Sequence, residues 1–398
     1  MLRLLMLLVS ITLVQKVSAK SYTHDSAQSE EVRVRDGLPN FFAKIQSGKC
    51  VRVAYFGGSI TAAQGWRPKT LAWMKSHYPA AQFEEINAAI SGTGSDYAAC
   101  RVRGDVLAHK PDLIFLECRV NGGNGYEKPS VEGVVRQIWA ADPTIDICFV
   151  YTVCSWMLND LHAGKQTPFG RTMEEIANVY GIPTIDLGLE ICKREQEGSL
   201  IFKADAPVQG KLVFSRDAVH PGDEGHAVYC QVVARSLLKM PQATKSFKHA
   251  LPEPLVPTCW ASASLLPIAS VVKSEGWTPV DSQTDPVYRN DFGRTDAMLR
   301  GAMKTEKIGA RFTVAWEGIT FGISDIPYDA IMELEVQVDN GAPRLIQRKQ
   351  TETRKHARFW YHPELPYGKH TATITVKTLA PGQSFYTGHV LLIGGASK

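Results

Sequence analysis

The stretch from Val51 to Thr61, which reads VRVAYFGGSIT, decides the fold of this chain. Its first six residues, Val51–Phe56, form a short apolar run, and two glycines and a serine follow directly. An apolar run of this length that ends in turn residues is typical of a buried strand. We therefore predict a strand that turns sharply into a helix, with Ser59 at the turn.

Four further apolar runs follow the same pattern and predict four more strands. They are Phe83–Asn87, Leu113–Leu116, Ile147–Tyr151 and Thr184–Leu187. Amphipathic stretches separate them; in one of these, Val131, Val134, Val135, Ile138 and Trp139 share a helical face. Apolar strands that alternate with helices indicate a parallel sheet covered on both faces. With right-handed crossovers, the predicted fold is a doubly wound, flavodoxin-like α/β/α sandwich over residues 20–240.

The pattern changes in the second part of the chain. Four prolines punctuate the segment that follows, and residues 241–263 are predicted to be a linker. From residue 264 to residue 398 the chain shows short alternating runs with Gly and Pro between them, such as Ala310–Ile323 and Glu333–Val338. This pattern predicts a C-terminal all-β sandwich of jelly-roll type.

Composition excludes several classes of function. The 398 residues are 44% hydrophobic and 21% charged, with a formal net charge of +4, as in an ordinary globular protein. The sequence has no basic run, so it gives no indication of a nucleic-acid partner. The eight cysteines form no C-x-x-C pair, which argues against a zinc cluster, and one or two disulfides are expected.

The first nineteen residues have the features of a secretory signal peptide. Arg3 supplies the positive start, Leu4–Val14 an apolar run, and Val17 to Ala19 a small-residue cleavage site. A run of about eleven residues is too short to span a bilayer, so we expect cleavage near Ala19 rather than a membrane anchor. The expected protein is secreted or periplasmic and has no membrane contact after cleavage.

Polar and glycine-rich segments follow the predicted strands, where open parallel sheets bind their ligands. The first is Gly57–Thr61, the second Asn87–Gly94, and the third Glu117–Gly123. A fourth, Asp217–Gly222, ends the long loop after the fifth strand. Because the carboxyl ends of parallel strands meet at one edge of a sheet, we expect these four loops to converge.

These residue types together favour nucleophilic catalysis. A serine hydroxyl attacks an ester only if a histidine takes its proton, and a carboxylate fixes and stabilises that histidine. Asp217 and His220, three residues apart on a bent loop, can form such a pair and leave Nε2 free for Ser59. The backbone N–H groups of Ser59 and Gly92 and the amide of Asn121 can then form an oxyanion hole.

Each of these segments also has an ordinary structural interpretation. Serine after two glycines is a preferred helix cap or part of an anion-binding turn. Asn121 among glycines could be a plain turn residue, and Asp217 with His220 a surface loop. What favours the catalytic interpretation is that all four segments occur in order at successive strand ends.

Several other residues are expected to have no part in the chemistry. We expect the histidines among them at the surface or on helices and the arginines in solvent rather than at the mouth of a cleft. The tryptophans are expected in the core, although flat aromatic faces also bind pyranose rings. These residues are His162, His226, Arg101, Arg103, Arg119, Trp66 and Trp156.

The four segments resemble the conserved blocks of the SGNH (GDSL-like) serine hydrolase superfamily. Gly57 to Ile60 resembles the nucleophile block, usually written Gly-Asp-Ser-Leu, and Asn87–Gly92 the block whose glycine donates to the oxyanion. Glu117–Asn121 is similar to the asparagine block, and Asp217 with His220 to the Asp-x-x-His block. Two positions depart from the pattern: Gly58 replaces an aspartate, and Gly122 replaces the aspartate that commonly follows the asparagine.

Together with the signal-peptide features, the resemblance implies an exported serine esterase that needs no metal or cofactor. Similarity to the carbohydrate esterases of this superfamily implies removal of O-acyl groups, above all O-acetyl groups, from a carbohydrate through an acyl-enzyme intermediate. Two alternatives stay open: an esterase or lipase for lipid or aryl esters, and a non-catalytic glycan-binding protein. The mixed, polar segment Asp96–Arg103 argues against the first, and the complete Ser59, Asp217 and His220 set against the second.

Overall fold

A computed structural model of the protein describes residues 21–290, 293–327, 330–349 and 356–394. The predicted signal peptide at residues 1–19 lies outside these ranges. Within them, no helix combines the length and the apolar character needed to cross a bilayer.

The first part of the chain alternates strands and helices. In chain order these are β1 (Val32–Arg33), α1 (Pro39–Gln46), β2 (Cys50–Phe56), α2 (Ser59–Ala62), α3 (Trp66–His77), β3 (Gln82–Asn87), α4 (Ser95–Asp105), β4 (Leu113–Leu116), α5 (Glu127–Ala141), β5 (Asp146–Tyr151), α6 (Leu158–His162), α7 (Pro168–Tyr180), β6 (Thr184–Asp186), α8 (Gly188–Gln196), β7 (Leu200–Lys203), β8 (Leu212–Ser215) and α9 (Asp223–Leu238).

A six-stranded sheet organises this part, in the order β1-β6-β5-β4-β2-β3. Strands β2 to β6 are parallel, and β1 joins one edge antiparallel. Apolar clusters cover both faces of the sheet. The predicted doubly wound α/β/α fold is therefore confirmed. Because the chain leaves β2 for β3 on one side and returns to β4 on the other, the crevice for a ligand lies at the carboxyl end of β2.

Two features of this sheet region escaped the sequence analysis. The edge strand β1 has only two residues, too few to show an apolar period. Strands β7 and β8 pair in parallel inside the segment expected to be a long loop. Both are partly exposed, and their apolar runs, Leu200–Phe202 and Leu212–Phe214, have only three residues, fewer than the runs that indicate a buried strand.

The second part is a β-sandwich. Its elements are β9 (Ser264–Pro267), β10 (Val272–Lys273), β11 (Thr278–Pro279), α10 (Arg294–Met298), β12 (Met303–Thr305), β13 (Arg311–Gly318), β14 (Thr320–Asp325), β15 (Met332–Val338), β16 (Arg344–Arg348), β17 (Arg358–Tyr361), β18 (Gly368–Thr378) and β19 (Phe385–Ile393). One antiparallel sheet has the order β10-β13-β18-β15-β16 and the other β11-β12-β19-β14-β17, with β9 also paired to β19. The predicted all-β sandwich is confirmed.

The two parts share one hydrophobic core. Tyr97 of α4 stacks on Phe359 of β17, with ring centroids 4.8 Å apart. Tyr126, just before α5, packs against Trp260 at 4.8 Å and Tyr361 at 5.6 Å. These contacts continue the apolar cluster on the α4 and α5 side of the sheet into the sandwich. The sandwich is therefore held against the same helices that follow two of the candidate site loops.

The segment predicted as a linker, residues 241–263, is docked on α5. Buried Glu132 accepts hydrogen bonds from the backbone N–H groups of Leu255 (2.6 Å) and Val256 (3.1 Å). Gln137 donates to the carbonyl of Trp260, whose side chain is fully buried. The boundaries 20–240, 241–263 and 264–398 stay predictions, but the segment between the two parts is packed rather than extended.

The expectation that the arginines lie in solvent is wrong for two of the three. Arg119 is buried and pairs with Asp186 through both oxygens, at 2.6 and 2.8 Å, which joins the end of β4 to the end of β6. Arg101 is buried over the ring of Phe56. Arg103 is exposed, as expected. Burial of a guanidinium is tolerated where a carboxylate and backbone carbonyls satisfy its donors, and a single sequence does not show such partners.

The expectation of one or two disulfides is also wrong, since all eight cysteines are unbridged in the structure. Six of them are buried, among them Cys118 and Cys148, and they pack as small apolar side chains.

Candidate active site

Ser59 lies at the first position of α2, at the carboxyl end of β2 as predicted. Its Oγ is 2.8 Å from Nε2 of His220, which comes from the loop between β8 and α9. The structure thus joins two residues that are 161 positions apart in the sequence.

Asp217 holds His220 in position through both of its oxygens. Oδ2 lies 2.7 Å from the His220 Nδ1, and Oδ1 accepts the backbone N–H groups of Val219 and His220 at 2.9 and 2.8 Å. Ala218 adopts a left-handed conformation (φ 68°), which bends the loop back on the carboxylate. Local backbone geometry therefore aims Nε2 at the serine.

These hydrogen bonds also fix the charge of Asp217. Burial acts to raise the pKa of this carboxyl, but the backbone and ring N–H groups of His220 and the N–H of Val219 outweigh it. The pKa of Asp217 is held well below its ordinary value, so the side chain is a carboxylate at neutral pH.

Two of the predicted oxyanion donors, Gly92 and Asn121, come from loops that pack against the nucleophile turn. Gly92 has a positive φ of 66°, and its loop is joined to the nucleophile turn by a hydrogen bond from the Ile90 N–H to the Gly57 carbonyl (3.0 Å). The Asn121 side chain lies directly against Gly58. Within the described ranges, the backbone N–H groups of Ser59 and Gly92 donate to no protein acceptor. They remain available for an oxygen of the substrate.

The glycine at position 58 has a steric reason. A Cβ there would lie 2.9 Å from Cγ of Asn121 and closer still to its amide oxygen, Oδ1. Position 57 is equally confined, since a Cβ would lie 2.6 Å from the Glu117 carbonyl oxygen. The departure from the Gly-Asp-Ser-Leu pattern at Gly58 therefore creates the space that the Asn121 side chain occupies.

Glu117 supports the nucleophile turn from beneath, and the sequence analysis gave it no role. It is buried, and its carboxyl group accepts hydrogen bonds from the Thr61 hydroxyl (2.9 Å), the Thr152 hydroxyl (2.8 Å) and the Gly58 N–H (3.3 Å). Burial raises its pKa, although these three donors act against the shift. Its place four residues before Asn121 in the asparagine block was the available signal.

The loop that carries Asn121 is supported without the aspartate that Gly122 replaces. Glu127 accepts the N–H groups of Gly123 and Gly125, both at 3.2 Å. Asp96, at the start of α4, accepts the Asn124 side-chain amide at 2.6 Å. Two acidic residues from neighbouring helices therefore take over the support of this loop.

The two tryptophans, Trp66 and Trp156, differ in burial. Trp66 is fully buried, as expected. Trp156 is 64% exposed, so the expectation of core packing is wrong for it. Its turn contacts the loop of Asp217 and His220, since the Ser155 N–H donates to the Ala218 carbonyl at 3.0 Å. Neighbouring Met157 fills the buried position of this turn, which leaves the indole in solvent.

The two histidines that were expected to have no part in the chemistry are His162 and His226. His162 is 3.1 Å from Glu195 at the protein surface. His226 is on α9 as a helix residue but is buried, and burial lowers its pKa to about 4. Among the described residues, no group of three or more His, Cys, Asp or Glu side chains is arranged to hold a metal ion.

Comparison with known proteins gives a family match and two similar folds. Residues 55–228 match the model of the GDSL-like Lipase/Acylhydrolase family. No curated protein matches the chain. Among solved structures, a two-domain esterase (CEX) active on acetylated mannans is similar at 20% identity and a TM-score of 0.73, covering 94% of this chain and 98% of that one. A second structure of CEX, co-crystallized with mannopentaose, is similar at 20% identity and a TM-score of 0.71, covering 89% and 94%.

The fold and the match define the class: the chain contains a GDSL-like acylhydrolase domain followed by a β-sandwich. Residues 55–228 are therefore a carboxylic ester hydrolase domain of this GDSL-like type, and the two-part fold of the chain is similar to that of CEX.

The first prediction tests the contact between Gly58 and Asn121. Asn121→Ala should lower kcat by about 10² to 10³ with little change in KM, because an oxyanion donor acts on charge that develops in the transition state. Gly58→Ala should have a similar effect, since its Cβ displaces the same amide. The activity is measured with p-nitrophenyl acetate.

Gly104→Ala is the matched control, because Gly104 lies in α4 with open space where a Cβ would point. Gly58→Ala activity near that of the wild type, or an Asn121→Ala effect confined to KM, would contradict the assignment.

The second prediction concerns Asp96. Burial raises the pKa of this carboxyl to about 6, even though Asn124 and backbone N–H groups act against the shift. A carboxyl whose pKa is raised on folding destabilises the folded protein once it ionises. The resulting loss in the free energy of unfolding therefore grows from about pH 4 to pH 6. Asp96→Asn should therefore increase the free energy of unfolding by about 3 kcal/mol at pH 7 and hardly at pH 4. Urea unfolding at pH 4, 5, 6 and 7 measures this difference; a gain that is the same at every pH would contradict it.

Proposed function

We propose that this protein is an exported serine esterase that removes O-acetyl groups from a carbohydrate through an acyl-enzyme intermediate. The observation that carries the proposal is the continuous hydrogen-bonded chain from Ser59 Oγ through His220 to Asp217, with distances of 2.8 and 2.7 Å. Export is supported by the signal-peptide features of residues 1–19.

In the proposed mechanism, each of these residues has a defined role. His220 Nε2 takes the proton of Ser59 as Oγ attacks the ester carbonyl, and Asp217 stabilises the imidazolium that forms. The N–H groups of Ser59 and Gly92 and the amide of Asn121 bind the oxyanion. When the tetrahedral intermediate collapses, His220 returns the proton to the leaving sugar oxygen, which leaves an acetyl-Ser59 ester.

A water molecule then completes the reaction. His220 takes a proton from the water as it attacks the acetyl-Ser59 carbonyl, and the same three donors bind the second oxyanion. Collapse returns the proton to Ser59 Oγ and releases acetate. His220 therefore acts as base and as acid twice in one cycle.

Trp156 supports a sugar as the leaving group. Because His220 must protonate the leaving oxygen, the alcohol part of the ester extends towards the His220 loop. Trp156 lies beside that loop with an exposed indole, and an aromatic face is a stacking surface for the apolar face of a pyranose. The fold shared with CEX, an esterase active on acetylated mannans, supports the same substrate class.

The third prediction tests the nucleophile. Ser59→Ala should abolish ester hydrolysis with no loss of fold, because a hydroxyl at a half-exposed turn contributes little to stability. A fluorophosphonate probe should label the wild type at Ser59 and leave the variant unlabelled. Hydrolysis of p-nitrophenyl acetate by a folded Ser59→Ala variant at the wild-type rate would refute the serine-esterase mechanism.

The fourth prediction tests the sugar surface. Trp156→Ala should raise KM for an acetylated manno-oligosaccharide about tenfold, the size of one aromatic stacking contact. Its kinetics with p-nitrophenyl acetate should change less than threefold. Phe247→Ala, which removes another exposed aromatic ring, serves as control and should affect neither substrate. Equal losses on both substrates would show that Trp156 supports the catalytic loop rather than a sugar.

A further inference from the structure

One side chain of the β-sandwich reaches the oxyanion hole. A Cβ on Gly92 would lie 3.1 Å from Cζ of Arg294 and closer still to Nη1. The guanidinium of Arg294 is therefore packed against the glycine whose N–H is one of the three oxyanion donors. Gly92 has two reasons to be glycine, its positive φ and the presence of Arg294.

The helix that carries Arg294 is tied to both parts of the protein. Thr295, the next residue, is buried and accepts the Ala357 N–H at 3.1 Å. At the other end of α10, the Met298 carbonyl accepts the Tyr97 hydroxyl at 3.4 Å. Tyr97 belongs to α4, which begins three residues after Gly92. A short series of packed residues thus holds Arg294 in place next to the Gly92 loop.

The position of Arg294 distinguishes its role from that of a sugar contact. The leaving group extends towards His220 and Trp156, whereas Gly92 and Asn121 lie on the oxyanion side of the serine. From standard bond lengths, a guanidinium against Gly92 lies within about 7 Å of an oxygen that accepts the Gly92 N–H. At this distance a positive charge attracts the developing oxyanion and has no comparable effect on the neutral ester.

We propose that Arg294, from the β-sandwich, stabilises the negatively charged tetrahedral intermediates formed at Ser59. The inference rests on the proposed serine-esterase mechanism with Gly92 in the oxyanion hole. It makes the sandwich a part of the active site in addition to any role in carbohydrate binding. Arginine suits this position because its charge is permanent and is delocalised over the planar group that packs on Gly92.

The test compares charge and shape at position 294 in the full-length protein. With p-nitrophenyl acetate, which has no sugar, Arg294→Gln should lower kcat at least tenfold (about 1.4 kcal/mol) and change KM less than threefold. Arg294→Met, an uncharged side chain of similar length, should do the same. Arg294→Lys should retain at least a third of the wild-type kcat. Arg300→Gln, which removes an exposed charge just beyond the same helix, should stay within twofold.

A binding measurement separates charge stabilisation from a structural effect. Phenylboronic acid forms an anionic tetrahedral adduct with an active-site serine, so its inhibition constant should rise at least tenfold in Arg294→Gln and remain near the wild-type value in Arg294→Lys. An unchanged kcat in Arg294→Gln, a loss in Arg294→Lys as large as in Arg294→Gln, or unchanged boronate affinity would each overturn the inference. Ser59→Ala decides the proposed mechanism separately, because that variant must be inactive whatever the result at Arg294.

Discussion

The active site depends on how closely two loops approach each other at the carboxyl ends of β2 and β4. Gly57 and Gly58 have no side chains, so the carboxyl group of Glu117 can reach the turn from below while the Asn121 amide packs against it from the side. These contacts set the position of the Ser59 N–H and of the Asn121 amide relative to each other. The proposed oxyanion hole thus depends on this close backbone packing, and a side chain at either glycine would separate its parts.

The approach of the loops is stabilised by buried polar groups whose partners come from several elements. Arg101 donates to the Gly57 carbonyl, and Arg119 joins the end of β4 to β6 through Asp186. Buried charges of this kind are costly to remove once in place, because the partner is left without compensation. They therefore hold the loops at this edge of the sheet in fixed positions. Such preorganisation is needed in a site that binds developing charge.

The β-sandwich is joined to this edge by an apolar core and not only by the chain. Tyr97 illustrates the arrangement: its ring stacks on Phe359 and its hydroxyl contacts the helix of Arg294. Helix α4 follows the Gly92 loop directly. The packing of the sandwich on α4 therefore also places the Arg294 guanidinium beside Gly92. The same residues thus serve stability and the electrostatics of the site.

The sequence by itself determined what depends on local pattern. Apolar runs such as Val51–Phe56 predicted the parallel strands, alternation predicted the β-sandwich, and the order of glycines, Ser59, Asn121 and Asp217 with His220 predicted which residues meet, because strand ends share one edge. Tertiary structure alone decided the burial of Arg101 and Arg119, the exposure of Trp156, the absence of bonds between the eight cysteines, and the arrival of Arg294 at Gly92. Each of these depends on which side chain or carbonyl, distant in the sequence, lies a few ångströms away. Hydrophobic periodicity does not indicate such partners.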